Sequence, residues 1–469
     1  MIAALAPYAE YKATEKEWFG VVPKHWDVLP NRSLFSEVKD RNHPDEEMLS
    51  VTIKRGVVRQ KTLLADSSKK DSSNLNKSAY KLVQPADIAY NKMRTWQGAI
   101  GVSEFRGIIS PAYIVMRLRN KENTPRYFHH LYRTPQFAKE AERWSYGITS
   151  DMWSLRPEHF KVIYTPQPSR EEQDAIVRFL NWANVRLERA IRAKQKVIAL
   201  LNEQKQAIIH RAVTHGLDPS LPLKPSGIPW LGDIPQHWQV MPIKRACVLV
   251  RDGTHLPPAR TVAGFPLLSV RNIINGRLVR RPDDSFISKA DFEKLNSSFV
   301  VQPKDILMAI VGATLGKVAV VEDIGPFQIQ RSLAIIRPRS EILLYDFLAM
   351  FLRSPRLQQY LWQSVAFSAQ PGIYLGFVSN IPIPVPPTVV EQASIYEILK
   401  QDHTPINSMI ASLEGEVDLL REYRTRLVAD VVTGKLDVRE VAAKLPDEEM
   451  PAEVDVSSED EISDEEIAV

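Results

Sequence analysis

Two hydrophobic periods alternate along this chain, and each occurs twice. Over residues 1–168 and again over 217–387, apolar side chains come in short β-rich runs broken by turn formers. Ile108-Ile109, Tyr113-Ile114-Val115-Met116, Val318-Ala319-Val320-Val321 and Leu333-Ala334-Ile335-Ile336 are the clearest, and they predict strands. Each globular stretch closes in a proline-rich hinge, Thr165-Pro166-Gln167-Pro168 or Ile381-Pro382-Ile383-Pro384-Val385-Pro386-Pro387. Beyond each hinge the spacing becomes helical, which predicts helical spacers over 169–216 and 388–436.

Both helical segments open on a capping box, Ser169 with Glu172 and Thr388 with Glu391, whose side chains can satisfy orphan amide donors. A four-three alternation follows. It reads Leu187, Ile191, Lys194, Ile198, Leu201, Lys205, Ile208, Ala212 in the first segment, and Ile406, Ile410, Leu413, Val417, Leu420, Arg424, Leu427, Val431 in the second. Such a stripe suits a knobs-into-holes seam, and about 28 residues at ~1.5 Å rise make an arm of roughly 40 Å. The expected fold class is α+β: two globular α/β domains separated and joined by two long antiparallel, coiled-coil-like helices. One position breaks the parallel. Pro405 stands where the first segment has Arg186, and its missing amide donor predicts a kink or restart, with Thr404 as cap and Pro405 first in the new helix.

The halves also repeat residue by residue. Trp18-Phe19-Gly20-Val21-Val22-Pro23-Lys24-His25-Trp26-Asp27-Val28-Leu29-Pro30 returns as Trp230-Leu231-Gly232-Asp233-Ile234-Pro235-Gln236-His237-Trp238-Gln239-Val240-Met241-Pro242, with seven of thirteen positions identical. The whole repeat is expected at a separation of about 219 residues, and further echoes continue it. Gln84-Pro85-Ala86-Asp87-Ile88 answers to Gln302-Pro303-Lys304-Asp305-Ile306, Arg133-Thr134-Pro135 to Arg353-Ser354-Pro355, Glu172-Gln173 to Glu391-Gln392, and 214–218 to 433–437. This period far exceeds the roughly 20–50 residues of a solenoid unit. It implies a duplicated module with internal pseudo-two-fold symmetry. His25 and His237, each before a Trp, read as hydrogen-bonded histidines that fix the module's first turn rather than as metal ligands or catalysts.

At 469 residues, 44% apolar and 25% charged, the chain has the composition of a soluble globular protein. The apolar run 306–316 is too short to span a bilayer, and Met1 to Ala6 lacks a basic flank, so neither a membrane segment nor a signal peptide is expected. A single cysteine, Cys247, excludes an intramolecular disulfide and fits a cytoplasmic protein. The net charge of +4 conceals a division. Residues 446–469 hold eleven acidic side chains and no Lys or Arg, so the remainder carries +15. An acidic tail over 437–469 is expected to be disordered and solvating, or to compete with nucleic acid for the basic body.

Motifs for independent catalysis are missing. Gly312-Ala313-Thr314-Leu315-Gly316-Lys317-Val318 has three residues between its glycines where a phosphate loop needs four, and Val318 where Ser or Thr must bind magnesium. A tight turn between strands with Lys317 exposed is the better reading. The sequence contains no HExxH, no CxxC, no G-x-S-x-G and no Asn/Asp-Pro-Pro-aromatic tetrapeptide of a DNA methyltransferase.

The repeated W-x-G-x-x-P-x-H-W opening carries a family resemblance, together with Arg251-Asp252-Gly253-Thr254-His255, Gly312 to Lys317, the Pro-then-Glu-Gln helix starts and the Thr-Gly/His-x-Leu-Asp helix exits. Over roughly residues 15–440 the chain resembles the specificity (S) subunit of type I restriction-modification systems. That resemblance implies two target-recognition domains that each read half of a split, asymmetric DNA site, and helical regions that space them and dock two modification subunits. It also implies a non-catalytic chain that binds no cofactor itself. S-adenosylmethionine would sit on the modification subunits, and ATP with magnesium on the restriction subunits. A stand-alone DNA-binding regulator or antirestriction protein is the alternative.

Candidate DNA-contacting residues in the first domain are Lys54, Arg55, Arg59, Lys61, Lys92, Arg94, Trp96 and Gln97. In the second they are Arg251, Thr254, His255, Arg271, Asn272, Arg277, Arg280, Arg281, Lys317, Gln330 and Arg331. Arg can grip guanine through two hydrogen bonds, Asn and Gln can grip adenine, and scattered Lys more often holds phosphate. Arg277, Arg280 and Arg281 are expected on phosphate.

Overall fold

The computed structural model describes residues 5–65, 77–147, 153–256, 258–365 and 372–446. The chain forms two compact units, Met1–Gln195 with Gly415–Val469, and Lys196–Glu414. Each unit therefore holds one globular region together with part of both long helices.

In the first unit an antiparallel sheet has the order Phe35–Val38, Tyr113–Leu118, Ile88–Asn91, Ile100–Val102. Alternation along a strand sends neighbours to opposite faces. Ile114 and Met116 join Phe35, Tyr90, Phe128, Tyr132, Phe137 and Phe160 in the main core, formed with helices Pro125–Tyr132, Pro135–Arg143 and Pro157–Val162. Tyr113 and Val115 turn the other way, onto Leu49, Val51 and Val57 of the hairpin Leu49–Thr52/Gly56–Arg59.

The second unit repeats the frame. Its six-stranded sheet runs Cys247–Asp252, Leu333–Pro338, Ile306–Ala309, Val318–Val320, Arg277–Leu278, Ile273–Ile274, so its first four strands correspond to the four of the first unit. Ile306, Met308, Ala334 and Ile336 face the helices Tyr345–Arg353 and Pro355–Gln363. Leu307, Ala309, Leu333 and Ile335 face the opposite way, with Leu268 and Ile329 of a three-stranded sheet.

The duplicated motifs are joints of this frame. Asp87 accepts two hydrogen bonds from the Arg117 guanidinium at 2.7 Å, and Asp305 accepts two from Arg337 at 2.6 and 2.8 Å. Gln173 accepts from the Thr124 amide and donates to the Pro168 carbonyl; Gln392 accepts from the Leu344 amide and donates to Ile342 and Pro386. Ser169 and Thr388 cap their helices by accepting from the Glu172 and Glu391 amides. The two carboxylates turn to other partners than the cap. Glu172 accepts from the Tyr8 hydroxyl at 2.6 Å and lies 2.9 Å from His25 Nε2, while Glu391 accepts from Trp238 Nε1 at 2.8 Å and lies 3.1 Å from His237 Nε2. Each opening motif is thus clasped to the start of its own helix, and the histidines are the turn-fixing residues the sequence predicts.

The long helices span Arg170–His215 and Val389–Val432. All sixteen stripe positions are buried or half-buried. Within the first unit Glu188 pairs with Arg424 at 3.0 Å and Lys194 with Glu416, an antiparallel match. Within the second, Lys205 donates to Asn407 at 2.7 Å, and Ala212 shares a core with Ile395 and Leu399. Gly216 and Gly434 end the helices at φ 75° and 80°, a left-handed conformation that glycine adopts without steric cost.

Three expectations need correction. The second helix does not restart at Pro405 but runs through it, and Thr404 caps nothing: its hydroxyl donates back to the Lys400 carbonyl, as the Ser408 hydroxyl does to Thr404. Residues 437–446 do not belong to the tail. The Asp437 amide donates to the Ala6 carbonyl at 2.8 Å, and Val438 and Ala442 of the segment around helix Arg439–Ala443 lie in the first core. The eleven acidic residues after Pro446 lie outside the described residues. Finally, one offset does not cover the repeat. It is 212 from Trp18/Trp230 to Trp26/Trp238 and 218 from Gln84/Gln302, so the second unit gains six residues between those points.

Candidate nucleic-acid interface

Strand register in the second unit gathers one set of candidates at a single end of its main sheet. Asp252 pairs with Ala334, Ala309 with Leu333 and Met308 with Val318, so the segments 251–255, 330–331 and 310–317 all leave the sheet at that end. Arg251, Thr254, His255, Lys317, Gln330 and Arg331 are therefore neighbours in the fold. The 310–317 segment is the predicted tight turn, closed by Leu315 and Lys317 amides donating to the Gly312 and Thr314 carbonyls, with Lys317 exposed. Gly253 makes the gathering possible. A β-carbon there would overlap the Ile329 and Gln330 carbonyls, and the close approach lets Thr254 bridge to Gln330. Arg251 donates to Ser298 at 2.8 Å, and Arg331 is exposed.

Arg277 pairs with Val320, toward the opposite end of the sheet. Its side chain is 77% exposed, and its nearest carboxylate, Glu322, is 3.9 Å away. Arg280 and Arg281 differ from it. Arg280 donates to the buried Asp284 at 2.9 Å, and Arg281 and Arg271 both pair with Asp283, at 3.1 and 2.9 Å. Burial pushes the Asp284 carboxyl up, but hydrogen bonds from the Arg281 amide, Asn272 and Arg280 hold it below its ordinary value. Asn272 is 1% exposed and spends its amide within the chain: Oδ1 accepts from the Ser269 amide, and Nδ2 donates to Val279 and Asp284. It holds the turn that carries these arginines and presents nothing to a base.

The first unit uses the equivalent end of its sheet. The turn from Lys92 to Gln97 links Ile88–Asn91 to Ile100–Val102, the position taken by 310–317 in the second unit. Trp96 donates from Nε1 to the Met93 carbonyl and sits edge-on to Trp153 at 5.5 Å; the Leu155 amide donates to the Lys92 carbonyl. Arg133 ties the hairpin turn of Lys54 and Arg55 to the same place, donating to Ile53 and Lys54 carbonyls with one nitrogen and to Ile100 with the other. Arg59 and Lys61 lie at the far end of the hairpin, both on Glu47, at 2.6 and 2.7 Å, with Arg59 over the Phe105 ring. They form a separate group in which two cations share one carboxylate.

One pair escaped sequence reading. Asp40 and His43 lie 2.9 Å apart after the first sheet strand of the first unit, and Asp252 and His255 lie 2.7 Å apart after that of the second. The signal is an Asp-x-x-His spacing repeated at offset 212, the same offset as the opening motif. Beyond the pair the chemistry diverges: Pro44-Asp45-Glu46-Glu47 in one unit, Leu256 to Val262 with Arg260 in the other. Among the described residues no three His, Cys, Asp or Glu side chains gather as a metal site. What the two sheet ends offer is hydrogen-bonding and cationic side chains on braced turns, an arrangement suited to holding and reading a polyanion.

Residues 238–410 match the family described as type I restriction modification DNA specificity domain. Over 361 residues, 76% of this chain and 74% of the relative, the sequence is 22% identical to the type I restriction enzyme EcoBI specificity subunit of Escherichia coli. Residues 238–410 thus match a type I DNA specificity domain, and the chain as a whole is similar to type I specificity subunits. A solved chain from work on complex assembly and conformational transition of the type I R-M system has the same fold, with TM-score 0.61 and 16% identity over 88% of this chain and 99% of that one. The matched residues take in Trp238, Glu391 and every candidate from Arg251 to Arg331. The first unit, which lies outside that match, is tied to it by the shared frame and clasp.

Proposed function

We propose that this chain is a type I specificity subunit that reads a bipartite, asymmetric DNA site, one half with each unit, and docks modification subunits through its helices. The observation that carries the reading is a pair of sheets that share four strands in the same order and whose turns hold different side chains. One presents Lys54, Arg55, Lys92, Arg94 and Gln97; the other presents Arg251, His255, Lys317, Gln330 and Arg331. A common frame with unlike readers suits two unlike half-sites. Arg331 and Gln330 have the chemistry to read guanine and adenine edges, and exposed Lys317 and Arg277 to hold phosphate.

In this reading the chain performs no chemistry. Two modification subunits supply S-adenosylmethionine and methyl transfer, restriction subunits supply ATP-dependent cleavage, and the assembly works on double-stranded DNA in the cytoplasm. No helix of the described residues is long and apolar enough to cross a membrane. A stand-alone regulator is less favoured, because the family match and the similarity to a curated specificity subunit both lie within restriction systems.

The test is co-expression with the modification subunit, followed by sequencing of methylated motifs in the host. A two-part motif with a fixed gap is expected, and a continuous motif, or none, overturns the reading. Adding one helical turn between Ala190 and Ala207 should then change the gap while leaving both half-motifs intact.

A further inference from the structure

We propose that Leu256 and Val262 form an apolar tip with which the second unit contacts the bases of the duplex, inside a frame of cationic side chains. The inference rests on the DNA-reading function above. Leu256 is 87% exposed and Val262 100% exposed, among the most exposed large apolar side chains of the described residues. The described residues at both feet of the segment that carries them are tied to the rest of the unit. At one foot Gly253 lies against the Ile329 and Gln330 carbonyls, and the Thr254 hydroxyl donates to the Leu256 carbonyl at 2.8 Å. At the other, the Thr261 amide donates to Phe286 at 3.0 Å, the Thr261 hydroxyl donates to Ala263 at 2.9 Å, and Gly264, at φ 147°, sits where a β-carbon would overlap the Ile287 carbonyl.

Arg251, His255 and Arg260 lie on the same loop and its approach, all exposed. The charge of Arg251 and Arg260 suits phosphates on either side of an apolar centre. The loop also falls in the stretch where the second unit gains its six residues. After the equivalent Asp40–His43 pair the first unit has Pro-Asp-Glu-Glu and no apolar tip. Apolar side chains read thymine methyls or wedge between bases, and neither contact releases counterions.

Salt dependence therefore separates the tip from the arginines. In the full chain bound to its modification subunit, Leu256→Ser with Val262→Ser should weaken binding to the methylated-motif duplex at least tenfold at every salt concentration. The slope of log affinity against log salt should not change, and Leu256→Met with Val262→Ile should keep the affinity. Unchanged affinity in the serine variant overturns the tip, as does a changed slope. Loss of modification-subunit binding on a native gel also overturns it, since the tip would then face protein. If the parent complex binds no duplex, the DNA-reading function itself has failed, which is a different result.

Discussion

Removing the Asp305 carboxylate measures how much of the second unit's frame depends on one duplicated joint. Asp305 is buried, accepts Arg337 Nε at 2.6 Å and Nη2 at 2.8 Å, and accepts the Gln302 amide at 2.7 Å. In Asp305→Ala the Arg337 guanidinium keeps only the Val300 carbonyl, at 2.7 Å. Breaking a buried pair from one side costs about 3–5 kcal/mol. Arg337 is 25% exposed and partly rehydrates, so a loss of about 2–3 kcal/mol is expected. For a unit of 219 residues that lowers the melting temperature by roughly 5–10 °C. Arg117, the counterpart, is 39% exposed, so Asp87→Ala should cost its own unit less, about 1–2 kcal/mol. Hydrogen exchange assigns the damage. Asp305→Ala should speed exchange in Ile306–Ala309 and Leu333–Pro338 and spare Ile88–Asn91. Adding Arg337→Met, which removes the stranded charge, should recover at least half of the loss. A change under about 1 kcal/mol, or no recovery in the double variant, refutes the reasoning.

Arg277→Ala should reduce the slope of log affinity against log salt by about one phosphate contact, whereas Arg280→Ala should mainly lower thermal stability, because Arg280 balances buried Asp284. His129 is held well below its ordinary pKa by burial and then by Arg133, and its Nδ1 accepts from the Val102 amide; His130 is lowered to about 4 by burial and then by Arg126. Below pH 6.5 the unfolded chain binds protons there that the folded chain refuses. First-unit stability should thus fall between pH 6.5 and about 4, by up to about 1.4 kcal/mol per pH unit per histidine, and urea melts across that range that do not move argue against buried neutral rings. Pro405→Ala restores an amide donor inside a continuous helix and should raise stability by about 1 kcal/mol or more, read by circular dichroism melting.

The architecture was legible because it rests on local rules: short β-rich apolar runs at 113–116 and 333–336, caps at Ser169 and Thr388, and a four-three stripe. Pairings over long separations were not. Glu172 reads as half of a capping box, yet its carboxylate turns to Tyr8 and His25, and no local pattern announces a partner 147 residues away. Asn272 has the side chain of a base reader, but burial and the Ser269 turn assign it elsewhere. Pro405 predicted a break on propensity alone, and flanking helical turns override it. The arginine groups read as equal cations until Asp283 and Asp284, so close in sequence, proved to neutralise three of them and leave Arg277 exposed.

The first unit's core closes only with residues from the C-terminal part of the described chain. Leu427, Val431, Val432, Val438 and Ala442 pack with Trp18, Trp26 and Phe179, and the Tyr127 hydroxyl donates to the Val432 carbonyl at 3.1 Å. Residues 196–414, in contrast, contain their whole unit. Synthesis proceeds from the N-terminus, so the unit begun first must wait, with its tryptophans and phenylalanines uncovered, while the one begun second is completed ahead of it. The usual order of domain maturation on the ribosome is inverted, and a chain that stops near residue 414 has one complete unit and one open hydrophobic face.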